Sequence, residues 1–447
     1  MQKRGYYSQN FKLALPIMLS SLGQQLVQMV DTLMIGQLGT VPLAAVSFAF
    51  AMTYNAFVIG MGIAMALTPL TGQNYAKGKK EILVNLFENS LSLNTLLSIV
   101  LVGILLLLLP FLHLLGQPNE VVERCRPYYI MVALSFIPMM CFLTFKQFFE
   151  GLGNTKIAMI ITISSNILNI FLNWVFIYGK LGLAPMGIFG AGLSTFISRL
   201  LMPLSFYIYI NTNKMYKSYI QGFSMQRLSI YMHKCLLKIG IPIAGQMFIE
   251  FFALFGITIM MGWVSTAALA SYQIASTMIS TTFLAASGIC SATTVLVSHS
   301  YGRDNLQEIK KHFFTGWKMV LLIMGCFALV FIFFGRYIAM LFSNDVEVIQ
   351  ITATLFIVTG LFQLFDGTQV SGLAGLRGIS DVARPTLYAI IAYLFIALPS
   401  AYICGFIFKL GEWSILAGFM FGLLTAGILY HTRFHKTLRR HFKNLKQ

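Results

Sequence analysis

Charge is what this sequence has least of. Only 10% of its 447 residues are Asp, Glu, Lys or Arg, against about 25% in a soluble domain. With 57% hydrophobic residues, a water-soluble enzyme or binding module is excluded. The six cysteines are scattered, with no CxxC and no Cys/His cluster. Neither a disulfide framework nor a zinc site is expected. No P-loop signature is present, so ATP is not expected as a power source through that fold element. HExxH and GxSxG are also missing, and the seven histidines lie in loops or near the ends of apolar runs without ligand spacing. No catalytic cluster therefore supports a membrane-embedded enzyme, and no filter-like loop supports a channel. The first apolar run is too long for a signal peptide and is read as a retained helix.

Long apolar runs are what the sequence has instead. They are about 20–28 residues long, far beyond the ~10 of a barrel strand, so each is expected to cross the bilayer as a helix. Twelve spans fall near residues 11–35, 43–72, 90–112, 127–149, 157–178, 187–210, 236–262, 268–298, 313–337, 350–373, 385–408 and 412–431. The longest polar connection, 211–234, follows the sixth span and marks the midpoint. The expected organisation is an amino-terminal six-helix lobe over 1–210, a cytoplasmic inter-lobe loop over 211–234, a carboxy-terminal six-helix lobe over 235–431 and a basic cytoplasmic tail over 432–447.

The net charge of +17 is explained by topology rather than by nucleic acid. With the amino terminus inside, 25 of the 31 basic residues fall in cytoplasmic segments and 5 outside, leaving Arg199 within a span. That bias places both termini in the cytoplasm. Arg199 either pairs with an intramembrane acid or snorkels to an interface. The basic tail "HTRFHKTLRRHFKNLKQ" is expected to lie on anionic lipid.

The two halves resemble each other. Displacing the chain by 226 residues brings Pro16 onto Pro242, Gly36 onto Gly262, Gly62 onto Gly288, Thr68 onto Thr294 and Tyr75 onto Tyr301, without a gap. Six spans per half return the chain to its starting side, so the repeats are parallel and related by an axis along the membrane normal. The fold class is an all-α integral membrane protein with two pseudo-symmetric six-helix lobes. Two such bundles make a cleft suited to alternating access.

Of the 14 acidic residues, Asp31, Glu250 and Asp366 fall well inside the spans. A charge at the bilayer centre costs roughly 2.5–3.5 kcal/mol on insertion scales, so it must face protein or water. Each acid has an amide one turn away. Asp31 follows Gln24 and Gln28, Glu250 follows Gln246, and Asp366 lies between Gln363 and Gln369. Residues three or four apart share a helix face. In "SSNILNIFLNWVF" Asn166, Asn169 and Asn173 form a further stripe. A carboxylate, amide oxygens and a hydroxyl such as Thr195 suit a hard monovalent cation; the same carboxylate can instead carry a proton. Amides in membrane helices also serve simply to hold helices together. Pro69, Pro138, Pro203 and Pro399 either kink helices or mark their ends.

The chain resembles the multidrug and toxic compound extrusion (MATE) transporters, and within them the NorM-like branch. The resemblance is carried by "VDTLMIGQLGTVPLAAVS" in the first span, by "TGQNYAKGKK" and its partner "VSHSYGRDN" after the second and eighth spans, and by "FFEGLGNTK" and "LAGLRGISDVARP" in the paired cytoplasmic loops. It implies a secondary active antiporter, not an enzyme, that exports lipophilic cationic drugs in exchange for Na+ or H+. It implies an amino-terminal cation site at Asp31, Asn169, Asn173 and Thr195. It implies a carboxy-terminal cation or substrate site at Glu250 and Asp366, with Gln246 alongside. Some members carry an acid at the position of Asn173 and a Tyr at that of Phe362; here Phe362 keeps an aromatic face for cations without the hydroxyl. Na+ at Asp31, Asn169 and Asn173, or at Glu250 and Asp366, is the implied ion. No cofactor beyond the coupling ion is implied. The partners are drug-like small molecules and the bilayer, with no nucleic acid, and the expected form is a monomer in the plasma (inner) membrane. A lipid-linked oligosaccharide flippase shares the architecture, but would call for more basic residues in the cleft to meet a pyrophosphate.

Overall fold

A computed structural model describes residues 2–220 and 227–444. Residues 221–226 of the inter-lobe loop and 445–447 of the basic tail lie outside the described residues. Twelve helices are long and apolar enough to cross a membrane, from Gly5–Gly36 through Glu412–Lys443. Each expected span is found. Several helices run well past their apolar stretch, the third over Lys80–Leu115 and the ninth over Leu306–Phe342.

Prolines interrupt these helices where their chemistry requires it. Proline lacks the N–H that would bond the carbonyl four residues back, and its ring clashes with that carbonyl. Four residues before Pro69 is Met65, where the helix Thr40–Ala64 stops before Leu67–Ala76 begins. Four residues before Pro138 is Leu134, the last residue of Asn119–Leu134, and Phe136–Gly151 follows. Pro399 sits in a short α-turn between two π segments, Ile390–Ala397 and Ile403–Ile407. Pro203 alone of the four lies inside an unbroken helix, Gly187–Thr212.

The chain forms two compact units. One comprises Leu19–Ala244; the other combines Met1–Met18 with Gly245–Gln447. These limits differ from the expected lobes at the start of the first and seventh spans, each of which begins in one unit and ends in the other. Close packing is the reason. Within the first unit, a Cβ on Gly62 would fall inside the Ala244 backbone, so only glycine permits that approach. Within the second, a Cβ on Gly288 would meet Met18, and Asn10 Nδ2 donates to Thr293 Oγ1 at 2.9 Å in a buried position. Gly62 with Ala244, and Gly288 with Met18, are the same pair displaced by 226 residues, so the sequence repeat is also a packing repeat.

The paired loop motifs repeat in the same way. Thr68 Oγ1 donates to the carbonyl of Gln147 at 3.1 Å, and Thr294 Oγ1 to that of Ala374 at 3.0 Å. In each half the motif after the second span of the repeat is thereby tied to the end of its fourth.

The run expected as a basic tail on lipid is different in kind. The last helix continues from Glu412 to Asn444, and its extension beyond the apolar span buries Phe434 and Leu438 in an apolar cluster with Phe313, Leu373 and Tyr430. Arg433 Nε and Thr437 Oγ1 both donate to Asp381 Oδ2 at 2.7 Å, and His441 Nε2 lies 3.1 Å from Asp304 Oδ1. The apolar spacing of Phe434 and Leu438, one turn apart, is hidden in the sequence by the surrounding bases. The amino-terminal half has an ionic brace as well, Arg227 Nη1 lying 3.1 Å from Glu88 Oε1, and a neutral one. There the short helix Lys214–Ile220 supplies Tyr216, whose hydroxyl accepts from Asn154 Nδ2 at 2.9 Å.

Candidate functional site

The amino-terminal half brings together most of the residues expected there. Asp31, on the first span, accepts a hydrogen bond from Asn173 Nδ2 at 2.5 Å. The same nitrogen donates to Asn169 Oδ1 at 3.2 Å. Asn173 and Asn169 sit one turn apart on the fifth span, so both amides lie along one helix face. Asn173 Oδ1 is buried without a hydrogen-bond partner. Thr195 stands apart from this chain: its hydroxyl donates to the Ala191 carbonyl of its own helix at 3.0 Å. Gln28 is exposed and does not extend the polar stripe inward.

Arg199 forms no ion pair with an acid within 4.0 Å among the described residues, but it does find an inward partner. Its Nη1 donates to Ser135 Oγ at 2.9 Å, and Asp31 and Tyr128 are its electrostatic neighbours. Nothing in the sequence marks Ser135 for this role. Its hydroxyl is presented at the interruption that Pro138 makes in the fourth span, so the same break that ends one helix supplies an acceptor for the guanidinium.

The carboxy-terminal half is organised around a different chain. Gln246 Nε2 donates to Glu250 Oε2 at 2.9 Å, and Arg377 Nη2 donates to Gln246 Oε1 at 2.7 Å. An arginine only donates and a carboxylate only accepts, so the amide between them has one orientation. Gln246, expected alongside the carboxy-terminal site, lies there with its oxygen engaged by Arg377. Asp366 is buried and forms no hydrogen bond or ion pair with another described residue, while its electrostatic neighbour is Glu250. Gln363 does not bond Asp366 but donates to Thr282 Oγ1 at 2.8 Å.

Phe362 departs from expectation. It is 2% exposed and stacks on Phe419, with ring centroids 6.2 Å apart and planes 12° from parallel. It belongs to an apolar cluster with Tyr393 and Leu423 and has no open face for a cation. Without a hydroxyl the ring has no polar group to place, and it is drawn into the core.

Arg377 escaped the sequence reading because it fell among the cytoplasmic bases. The signal was its spacing. It lies eleven residues after Asp366, close to three full helical turns, and so on the same face of the tenth span. Glu88 and Glu150 were also missed as buried acids. Each lies near a helix end with a base at hand, Arg227 at 3.1 Å and Lys146 at 4.0 Å respectively. Asp31, Glu250 and Asp366 have no ion pair of that kind within 4.0 Å among the described residues.

A twelve-span helical membrane protein with an intramembrane acidic site in each half of a tandem repeat is the class defined by this geometry. The MatE family model matches residues 16–175 and again 242–403, starting points that differ by the repeat displacement of 226. The chain belongs to the MatE family. It is similar to the multidrug resistance protein NorM of Aliivibrio fischeri, 28% identical over 432 residues covering 94% of this chain and 93% of that one. It is also similar to the probable multidrug resistance protein NorM of Photorhabdus laumondii, 30% identical over 414 residues covering 92% and 90%. Among solved structures, a multidrug resistance MATE family transporter in an outward-facing conformation matches with a TM-score of 0.88 at 19% identity over 98% of this chain and 97% of that one. The Vibrio cholerae MATE transporter VcmN in its bent form matches with a TM-score of 0.86 at 21% identity over 98% of both chains.

Proposed function

We propose that this protein is a secondary active antiporter that exports lipophilic cationic drugs in exchange for Na+ or H+, by alternating access of two lobes. The observation that carries this reading is the pair of intramembrane carboxylate sites, half-buried Asp31 in one half and half-buried Glu250 with buried Asp366 in the other. Acids at that depth are costly to keep and attract cations strongly in a low-dielectric setting. The NorM names of the relatives support drugs as the cargo, whereas an oligosaccharide-pyrophosphate cargo finds only two half-buried guanidiniums, Arg199 and Arg377, each already neighboured by an acid. Coupling ions are cargo here, taken from oxygen ligands: Asp31 with Asn169 and Asn173, or Glu250 with Asp366. Thr195 donates its hydroxyl proton to Ala191 and keeps its oxygen as a further ligand for the amino-terminal site.

The decisive experiment is efflux of a fluorescent lipophilic cation from proteoliposomes with sodium and proton gradients imposed separately. Export driven by one of them is expected; export driven by neither overturns the reading. The basic bias further supports an inner-membrane protein with both termini cytoplasmic, acting as a monomer. Met215→Cys, at an exposed position on Lys214–Ile220, is then expected to react only with a membrane-permeant thiol reagent when the other cysteines are removed. Ready labelling from outside intact cells contradicts that orientation.

A further inference from the structure

The mechanism just proposed uses Glu250 and Asp366 but leaves Arg377 unexplained. A guanidinium is a poor neighbour for a site that is to attract cations. It stays charged at any pH a protein meets, and its burial is costly unless it is compensated. In the last turn of the tenth span it gains from the helix dipole, but its Nε is buried without a partner. Its one side-chain hydrogen bond to a described residue runs to Gln246.

Charge counting gives it a purpose. The amino-terminal site holds one carboxyl, Asp31, and one guanidinium, Arg199. The carboxy-terminal site holds two carboxyls, Glu250 and Asp366, and one guanidinium, Arg377. The first is balanced from within. The second lacks one positive charge.

We propose that Arg377 sets the cation affinity of the carboxy-terminal site, acting through Gln246 on Glu250, so that the site takes a single monovalent cation and releases it readily. The 2.7 Å and 2.9 Å hydrogen bonds fix the intermediate amide with its N–H toward Glu250. That N–H competes with an arriving cation for the same carboxylate oxygen. The fixed positive charge beyond it lowers the affinity further. Arg377 and Gln246 are thus positioning residues, and Glu250 is the group that meets the cation. The inference rests on the antiport reading and assigns what limits its affinity.

The test is equilibrium binding of tetraphenylphosphonium and of sodium to the purified full-length protein. Removing one charge near the site, at an effective dielectric of about 20, is expected to tighten binding of whichever cation binds by about tenfold or more in Arg377→Gln. Arg377→Lys, which keeps the charge, is expected to stay within about threefold of the unmodified protein. Gln246→Met removes the competing N–H, and about threefold tightening is expected; it also serves if Arg377→Gln does not fold. In a Glu250→Gln background Arg377→Gln is expected to tighten binding by less, because only the through-space effect on Asp366 remains. Unchanged or weaker binding in folded Arg377→Gln or Gln246→Met overturns the proposal, as does the same tightening without Glu250. If the unmodified protein binds neither cation and exports nothing under either gradient, the antiport reading itself fails and takes this inference with it.

Discussion

The two halves of the chain solve one problem with different chemistry. In the amino-terminal half, a carboxylate is met by an asparagine whose own oxygen is left over. In the carboxy-terminal half, a carboxylate is met by a glutamine whose oxygen is already held by a guanidinium, and a second carboxyl stands unpartnered beside it. The packing repeats closely: the Thr68 and Thr294 donors are 226 residues apart and their acceptors, Gln147 and Ala374, 227. The side chains that carry charge do not. A duplicated scaffold fixes where a site can be, and each copy is then free to diverge in what it binds. The braces at the span ends differ in detail: Arg227 on Glu88 with a neutral Asn154–Tyr216 bond in one half, Arg433 on Asp381 in the other.

The largest expected effect tests whether the second site is indispensable. Glu250→Gln and Asp366→Asn each remove a charge while keeping shape, and efflux into which the ion gradient is coupled is expected to fall at least about tenfold in each, as buried charge is worth well over 1.4 kcal/mol here. Full transport by both single variants would remove any coupling role from the carboxy-terminal half. Asp31→Asn is expected to lose the ion dependence of export. It also leaves Arg199 without its acid, so a lower melting temperature is expected, partly restored by adding Arg199→Gln. An unchanged response to sodium and to pH in Asp31→Asn would reduce that site to a structural pairing.

Smaller changes sharpen the contrast. Asn169→Ala and Asn173→Ala each remove one neutral ligand and are expected to weaken ion dependence less than Asp31→Asn does, with Asn173→Ala the more severe because it contacts Asp31 directly. The braces come last. Asp381→Asn breaks a largely buried ion pair with exposures of 18% and 13% and is expected to cost about 1–3 kcal/mol, read as a drop in thermal midpoint. Asn154→Ala loses one neutral hydrogen bond, about 0.5–1.5 kcal/mol. Equal losses would mean that the ionic brace adds nothing over the neutral one.

The sequence by itself determined the twelve helices, their tandem repeat and the three acids. These follow from local rules: apolar run length, a fixed displacement, and the cost of charge in hydrocarbon. It also determined the facing of Asn169 and Asn173, because helical period alone places them together. Tertiary structure decided everything that depends on a partner far along the chain. What the Arg199 guanidinium bonds turned on Ser135, 64 residues away. Whether Gln246 offers an oxygen turned on Arg377, 131 residues away. Whether Phe362 faces a cation turned on Phe419 filling the space before it. The basic tail became a packed helix because Asp304 and Asp381 were there to receive it. Helical period reports which side chains share a face, but it holds no record of what the face meets. Charge and hydrogen-bond partnership are settled only when distant segments pack.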